Sequence, residues 1–284
     1  MQLRKSKKHK KKNTHTELNM PNPIITLTTD FGLRDPYVAE MKAAILGISP
    51  NTKIVDITHQ IEKFNTRTGA HVLAAASPYF PKGTIHVVVV DPGVGTRREA
   101  ILIQTKQDYC IGPDNGVLAL AARSQGIKHV YKITNPKLML PKISHTFHGR
   151  DIFAPAAAHL ATGTPPSEFG PEINGIVTPK FAKITKKKNA LTGEVIHIDG
   201  FGNIITNFKE KELESMSSIK TTVNLKLKNT KLKLRLCKVY AEVEAQQPLA
   251  LIGSHNFLEI SVNQGNAAEN FKTKAGDKVT LYRS

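Results

Sequence analysis

The chain has 284 residues, two cysteines and a net charge of +17. That length supports one large domain or two ordinary ones around a sizeable core, without disulfide or metal staples. Cys110 and Cys237 fit no metal-ligand spacing or disulfide framework, no apolar run approaches the roughly 20 residues of a membrane span, and the basic N-terminus lacks the apolar segment of a signal peptide, so a cytoplasmic, membrane-free protein is expected.

Residues 1–21 read as a basic disordered tail. Arg4, Lys5, Lys7, Lys8, Lys10, Lys11 and Lys12 face only the acid Glu17, a composition that supports weak, nonspecific polyanion binding at most. Ile24 to Phe31 is rich in β-branched residues and reads as a strand. Asp35-Pro36 resembles a helix start, with an N-cap acid and proline at the first helical position; Val38, Met41, Ile45 and Ile48 follow at helical spacing. Lys53 to Thr58 is a second strand, and Asn65 to Ala76 a helix. Thr84 to Val90, TIHVVVV, is the most apolar run and predicts a strand buried on both faces. ILIQT and YCIG form a hairpin around Lys106-Gln107-Asp108, Pro113 to Gly116 is a turn, and Arg150 to Ala161 an alanine-rich helix. Alternating strands and helices predict an α/β N-terminal domain with a mainly parallel sheet, over residues 22–184.

The pattern changes at 183–190, KITKKKNA, which reads as a linker. Beyond it nearly every segment alternates as a strand: GEVIHID and NIITNF around Asp199-Gly200-Phe201-Gly202, then TTVNLKLKN and TKLKLRL around a turn near Asn229-Thr230, then LALIG, LEISV and DKVTLYR. An all-β, barrel-like C-terminal domain over 190–284 is expected. The alternating lysines of LKLKNTKLKLRL form a basic stripe, read as a solvated face. A single-strand binder wants stacking aromatics among its charges, and this hairpin has none.

Polar clusters collect at strand ends. Asp30 closes the first strand and Asp91 the third, with Arg98 seven residues on. Open α/β sheets place ligands just past the carboxyl ends of their strands. Ser144 to Asp151 carries His145 and His148 into a helix, and His148, beside Gly149, is the better candidate. Each also has a plain structural reading: Asp91 before proline as a turn residue, Asp151 as a helix cap. Asp30, Asp91, His148 and Asp151 could make an oxygen-rich divalent site, yet the chain lacks HExxH, a cysteine cluster, a Walker loop and the dinucleotide glycine fingerprint. The residues alone therefore reach a carboxylate–arginine–histidine site on an α/β enzyme and no named substrate.

Six motifs in order go further: TTDFG at 28–32, DPGVGT at 91–96, PDNG at 113–116, TFHGRDIF at 146–153, DGFGN at 199–203 and GSHNFLEI at 253–260. Together they resemble the S-adenosyl-L-methionine (SAM) hydroxide adenosyltransferases, the adenosine-forming SAM hydrolases related to fluorinase and chlorinase. The resemblance implies SAM as substrate and a homotrimer with active sites at subunit interfaces; no cofactor or metal is expected, because the methionine leaving group needs no Lewis acid. It maps the residues around the attacking water onto Asp91, Arg98 and His148. Asp30 matches the carboxylate holding the ribose hydroxyls, Asn203 an adenine contact with Phe201 beside it, Asp35 and Asp199 acids near the methionine amine, and Ser254 a contact of the methionine carboxylate. His255 stands where fluorinase has arginine. Fluorinase also has tyrosine at the place of Asp91; a carboxylate there repels a halide and suits water. The implied reaction is in-line attack of water at the ribose C5′, releasing adenosine and methionine. A chlorinase-like halide adenosyltransferase and a non-catalytic SAM- or adenosine-binding protein are the alternatives.

Overall fold

The computed structural model describes residues 23–216 and 221–283, so the basic tail expected at 1–21 lies outside the described residues. Six strands, β1 (Ile24–Thr29), β2 (Lys53–Thr58), β3 (Ile85–Val89), β4 (Ala100–Thr105), β5 (Tyr109–Pro113) and β6 (Ile127–Lys132), form one sheet in the order β2-β1-β3-β5-β4-β6. β1 is parallel to β2 and β3, and β3 to β5. Only β4 runs against its neighbours, because its three-residue connection to β5 is too short for a parallel crossover. The sheet is mainly parallel, as expected.

Helices cover both faces, which is why every residue from Thr84 to Val90 is buried. Side chains alternate along β3. Val87 and Val89 join Ile25, Leu27 and Leu102 under Met41 and Ile45 of α1 (Tyr37–Ile48) and the alanines of α4 (Ala154–Ala161). Val88 and Val90 join Ile101 and Ile103 under Leu73 of α2 (Thr66–Ala76) and Ala121 and Ala122 of α3 (Ala119–Gln125).

Two helix starts differ from the sequence reading. Pro36 itself occupies the cap of α1, with helical backbone angles and no side-chain hydrogen bond, so Asp35 caps nothing and is exposed. The helix expected over Arg150 to Ala161 opens with a π-helical turn, Gly149–Phe153. Pro155 lacks the N–H that would bond the Asp151 carbonyl four residues back. That carbonyl instead accepts from the Leu140 N–H at 2.9 Å. The Asp151 side chain is not a helix cap either: fully buried, it accepts from the Ser144 N–H at 2.8 Å and from Arg150 Nε at 2.7 Å, tying the preceding loop to the helix.

The C-terminal half holds β7 (Thr185–Lys187), β8 (Ala190–Ile198), β9 (Ile204–Lys209), β10 (Thr222–Leu227), β11 (Thr230–Cys237), β12 (Pro248–Ile252), β13 (Phe257–Val262) and β14 (Lys278–Tyr282). β14 pairs with both β10 and β8, which closes seven strands into a barrel, with β7 added beside β8. Only β11 and β12 are parallel. Val195, Phe208, Leu225, Leu234, Leu258 and Leu281 fill the interior. The segment 183–190 thus contributes β7 and the first residue of β8, and the β10–β11 turn sits at Lys228-Asn229, one residue before its expected place. Barrel and sheet meet at α2, where Arg67 Nη1 lies 2.5 Å from Glu194 Oε2 and Ala70, Phe181, Ile196, Ile205 and Phe257 form a small apolar seam.

Candidate active site

Asp91 and Arg98, seven residues apart, meet His148, 50 residues further along, at the carboxyl end of β3. Arg98 Nε donates to both Asp91 oxygens, at 3.1 and 2.9 Å, and Nη2 donates to Oδ2 at 2.5 Å. The same Nη2 reaches His148 Nδ1 at 2.7 Å. A guanidinium has only donors, so Nδ1 accepts and the ring proton of neutral His148 sits on Nε2. Burial, then the Arg98 charge, pushes the His148 imidazolium below its ordinary 6.5, which favours that neutral tautomer. The guanidinium also lies 5.3 Å from the Phe153 ring centre.

The backbone explains the motif. Asp91 Oδ1 accepts from the Gly93 N–H at 3.2 Å, and Val94 and Thr96 close successive turns onto Asp91 and Gly93. Gly95, at φ +75°, packs against the His145 carbonyl, where any Cβ would collide. The DPGVGT turn and the His145–His148 loop are therefore fitted together at a glycine. The phenylalanines of the two flanking motifs serve the same end: Phe31 and Phe147 meet edge to face at 5.6 Å and Tyr37 closes the trio, joining the end of β1 to the His148 loop.

Asp30, 5% exposed, stands beside this cluster at the end of β1. Its Oδ2 accepts from the Phe64 N–H at 2.8 Å, and its carbonyl from Lys63 Nζ at 2.5 Å. Lys63 and Phe64 escaped the sequence reading; Phe64, a non-glycine at φ +63° with an exposed ring, carries no sequence mark of its role.

The C-terminal candidates gather elsewhere. Asp199, Phe201, Asn203, Ser254 and His255 line a cleft of about 1150 Å³ between α2 and the barrel. Neither Asp30, Asp35, Asp91, Arg98 nor His148 lines it. Asp199 organises its own turn: Oδ1 accepts from the Phe201 and Asn203 N–H groups, both at 2.9 Å, and Oδ2 from Asn203 Nδ2 at 2.9 Å. Phe201 is left 81% exposed at the tip. The Ser254 carbonyl accepts from the Tyr79 hydroxyl at 3.2 Å.

Sequence reading also missed the cleft's other walls. Tyr240 donates to Glu259 Oε1 at 2.7 Å, and burial and that bond push its phenol pKa up. His71, buried under the cleft, stacks on His197 at 5.0 Å and meets His255 edge-on at 6.2 Å. Burial, then these two neighbours, pushes His71 down to about 3.

The divalent alternative finds no support in this geometry: Arg98 occupies both Asp91 and His148, and Asp151 is held by Arg150 and Ser144. Among the described residues, no three His, Cys, Asp or Glu side chains gather as a metal site, and no helix is long and apolar enough to cross a membrane.

Comparison with known proteins places the chain. A family model of the SAM hydroxide adenosyltransferase N-terminal domain matches residues 25–170, and one of the corresponding C-terminal domain matches 193–280. The chain belongs to the SAM hydroxide adenosyltransferase family. Among its relatives, the (R)-S-adenosyl-L-methionine hydrolase of Methanocaldococcus jannaschii is 40% identical over 91% of this chain and 95% of its own length. The protein of the same name from Thermus thermophilus is 36% identical, over 91% and 99%. The fluorinase of Actinoplanes sp. is more distant, at 28% over 93% and 98%. A crystal structure described as an uncharacterized conserved protein from Thermotoga maritima superposes with a TM-score of 0.82 at 39% identity, covering 91% of this chain and all of the other. This member of the family therefore shares both halves of its fold with its relatives.

Proposed function

We propose that this protein hydrolyses S-adenosyl-L-methionine to adenosine and L-methionine. The observation that carries the reading is the single Arg98 guanidinium joining the Asp91 carboxylate to His148 Nδ1 at the carboxyl edge of the sheet, in a family whose relatives at 33–40% identity bear the SAM hydrolase name.

The chemistry follows from the charges. The sulfonium makes methionine a neutral leaving group, so the enzyme has only to activate water. Water attacks C5′ from the side opposite sulfur, about 3–3.5 Å away; the C5′–O bond forms as the C5′–S bond breaks, and one proton leaves with the solvent. Arg98 turns its Nε and Nη2 donors onto its two neighbours. His148 then presents its Nε2–H and orients the water oxygen as a donor. With Nδ1 of His148 already bonded to Arg98, Asp91 is the member of the three that accepts from the water and takes its proton, a role that typically supplies about 10²–10⁴-fold. Asp30 holds the ribose hydroxyls. Asn203 and Phe201 take the adenine, while Asp35, Asp199, Ser254 and His255 surround the methionine end. No metal or cofactor enters the proposed mechanism.

We further infer a homotrimer. None of the water-activating residues lines the cleft, and each set is flanked by exposed apolar side chains, Leu33 and Phe64 on one side, Phe201 and Val239 on the other. Bringing one subunit's sheet edge against a neighbour's cleft covers both and completes the site.

Incubation with SAM followed by mass spectrometry is expected to show adenosine and methionine in equal amounts. Unchanged SAM would defeat the assignment, and 5′-chloro-5′-deoxyadenosine as main product in excess chloride would replace it with halide transfer.

A further inference from the structure

We propose that the outer face of the barrel formed by β11, β10 and β14 is a binding surface for single-stranded nucleic acid. The register decides which side chains share that face. Val223, Leu225 and Leu227 of β10 and Leu234 of β11 point inward and are buried, so the residues between them point out. Lys226 stands directly opposite Lys231. One step along, Asn224 stands opposite Lys233, and Thr222 opposite Arg235. On the other side of β10, Asn224 faces Tyr282 and Lys226 faces Thr280. Tyr282 in turn lies opposite Ala190 of β8, which pairs with Lys187 of β7.

One row across the barrel therefore reads Lys233, Asn224, Tyr282, Ala190, Lys187, and the adjacent row begins with the lysine pair. The tyrosine is what the linear sequence hid. The β10–β11 hairpin has no aromatic residue, but β14, about 50 residues further along the chain, inserts a half-buried one between the basic side chains.

Three features favour this ligand. Like charges directly opposite on a sheet repel, yet Lys226 and Lys231 face each other, and among the described residues neither they nor Lys233 has an acidic partner, whereas Lys228 and Arg235 pair with Asp277 and Glu242. Lys231, Lys233 and Arg235 follow one another along one side of β11 at about 6.6–6.8 Å, a spacing that suits an extended phosphodiester chain. An aromatic ring among lysines provides a stacking platform that an intact duplex, with its bases paired and stacked, does not use. None of these residues lines the cleft or touches the Asp91–Arg98–His148 cluster, so binding here is independent of SAM turnover.

The test is fluorescence anisotropy of the full-length protein with a labelled oligouridylate, with an unlabelled DNA duplex and vesicles of phosphatidylserine and phosphatidylcholine as competitors. The wild type is expected to bind the single strand with an affinity falling steeply as salt rises, with a slope of about −0.7 per phosphate contact. The combined K226E, K231E and K233E variant is expected to lose at least tenfold in affinity and flatten that slope, with SAM turnover unchanged. Tyr282→Leu is expected to lose about tenfold with the salt slope intact, and Tyr282→Phe to keep wild-type binding. Undiminished binding by the triple-lysine variant, which would place the contact in the N-terminal tail, overturns the proposal. So does stronger competition by the duplex or the vesicles than by unlabelled single strand, or indifference to Tyr282→Leu.

Discussion

The sheet edge and the cleft hold their polar residues in opposite ways. At the sheet edge, Asp91, Arg98 and His148 bond to one another and are locked by a glycine turn and an aromatic trio. In the cleft, Asp199 spends its carboxylate on its own turn and leaves Phe201 exposed, while Ser254 and His255 are exposed beside it. The reacting groups are arranged before any ligand arrives, and the holding groups await a surface to close on. That contrast is what a site shared between subunits predicts: chemistry demands fixed geometry, and recognition surfaces are completed by the second partner.

The largest test separates the two halves genetically. Asp91→Ala is expected to cut kcat/KM by about 10²–10⁴-fold, and Asn203→Ala to raise KM with a smaller loss in kcat. Refolding the two impaired variants together is expected to restore wild-type kcat/KM in roughly a quarter of the sites if subunits assort at random. No recovery would place both halves of the site in one chain.

A second test sharpens the role of His148. Its Nδ1 can accept from Arg98 only while the imidazole is neutral, so kcat/KM falls on the acid side as protonation of His148 breaks that contact. Because burial and Arg98 hold its pKa below 6.5, the acid limb is expected below pH 6.5, and His148→Asn is expected to move it. A limb centred above 6.5 would contradict the Arg98 contact.

His71 acts on stability and not on turnover. In the unfolded chain it binds a proton below about 6.5; in the folded protein it resists until about 3. The unfolded state thus holds more protons across that window, and stability falls as pH drops through it, by up to about 1.4 kcal/mol per pH unit. Urea titrations at several pH values check this, and His71→Gln is expected to flatten the dependence.

Much was legible in the linear chain. TIHVVVV could only be a strand covered on both faces, and the alternating segments after residue 190 could only shield their apolar sides by curling or stacking. Asp91 and Arg98 lay within one short turn, so their partnership was local. Several local readings failed where a proline or a distant strand intervened. Pro36 displaced Asp35 from the cap, Pro155 widened the helix behind His148, and the segment 183–190 carries a strand because β8 offered a partner for its backbone.

Residue order and periodicity by themselves determined the two fold classes and the positions of the strand-end carboxylates, because burial patterns and turn chemistry are short-range properties. Only the tertiary structure decided that Arg98 bridges Asp91 to His148, that Lys63 and Phe64 hold Asp30, and that Tyr282 shares a barrel face with the hairpin lysines. Each of these depends on strand order and register, which arise from contacts between segments tens of residues apart.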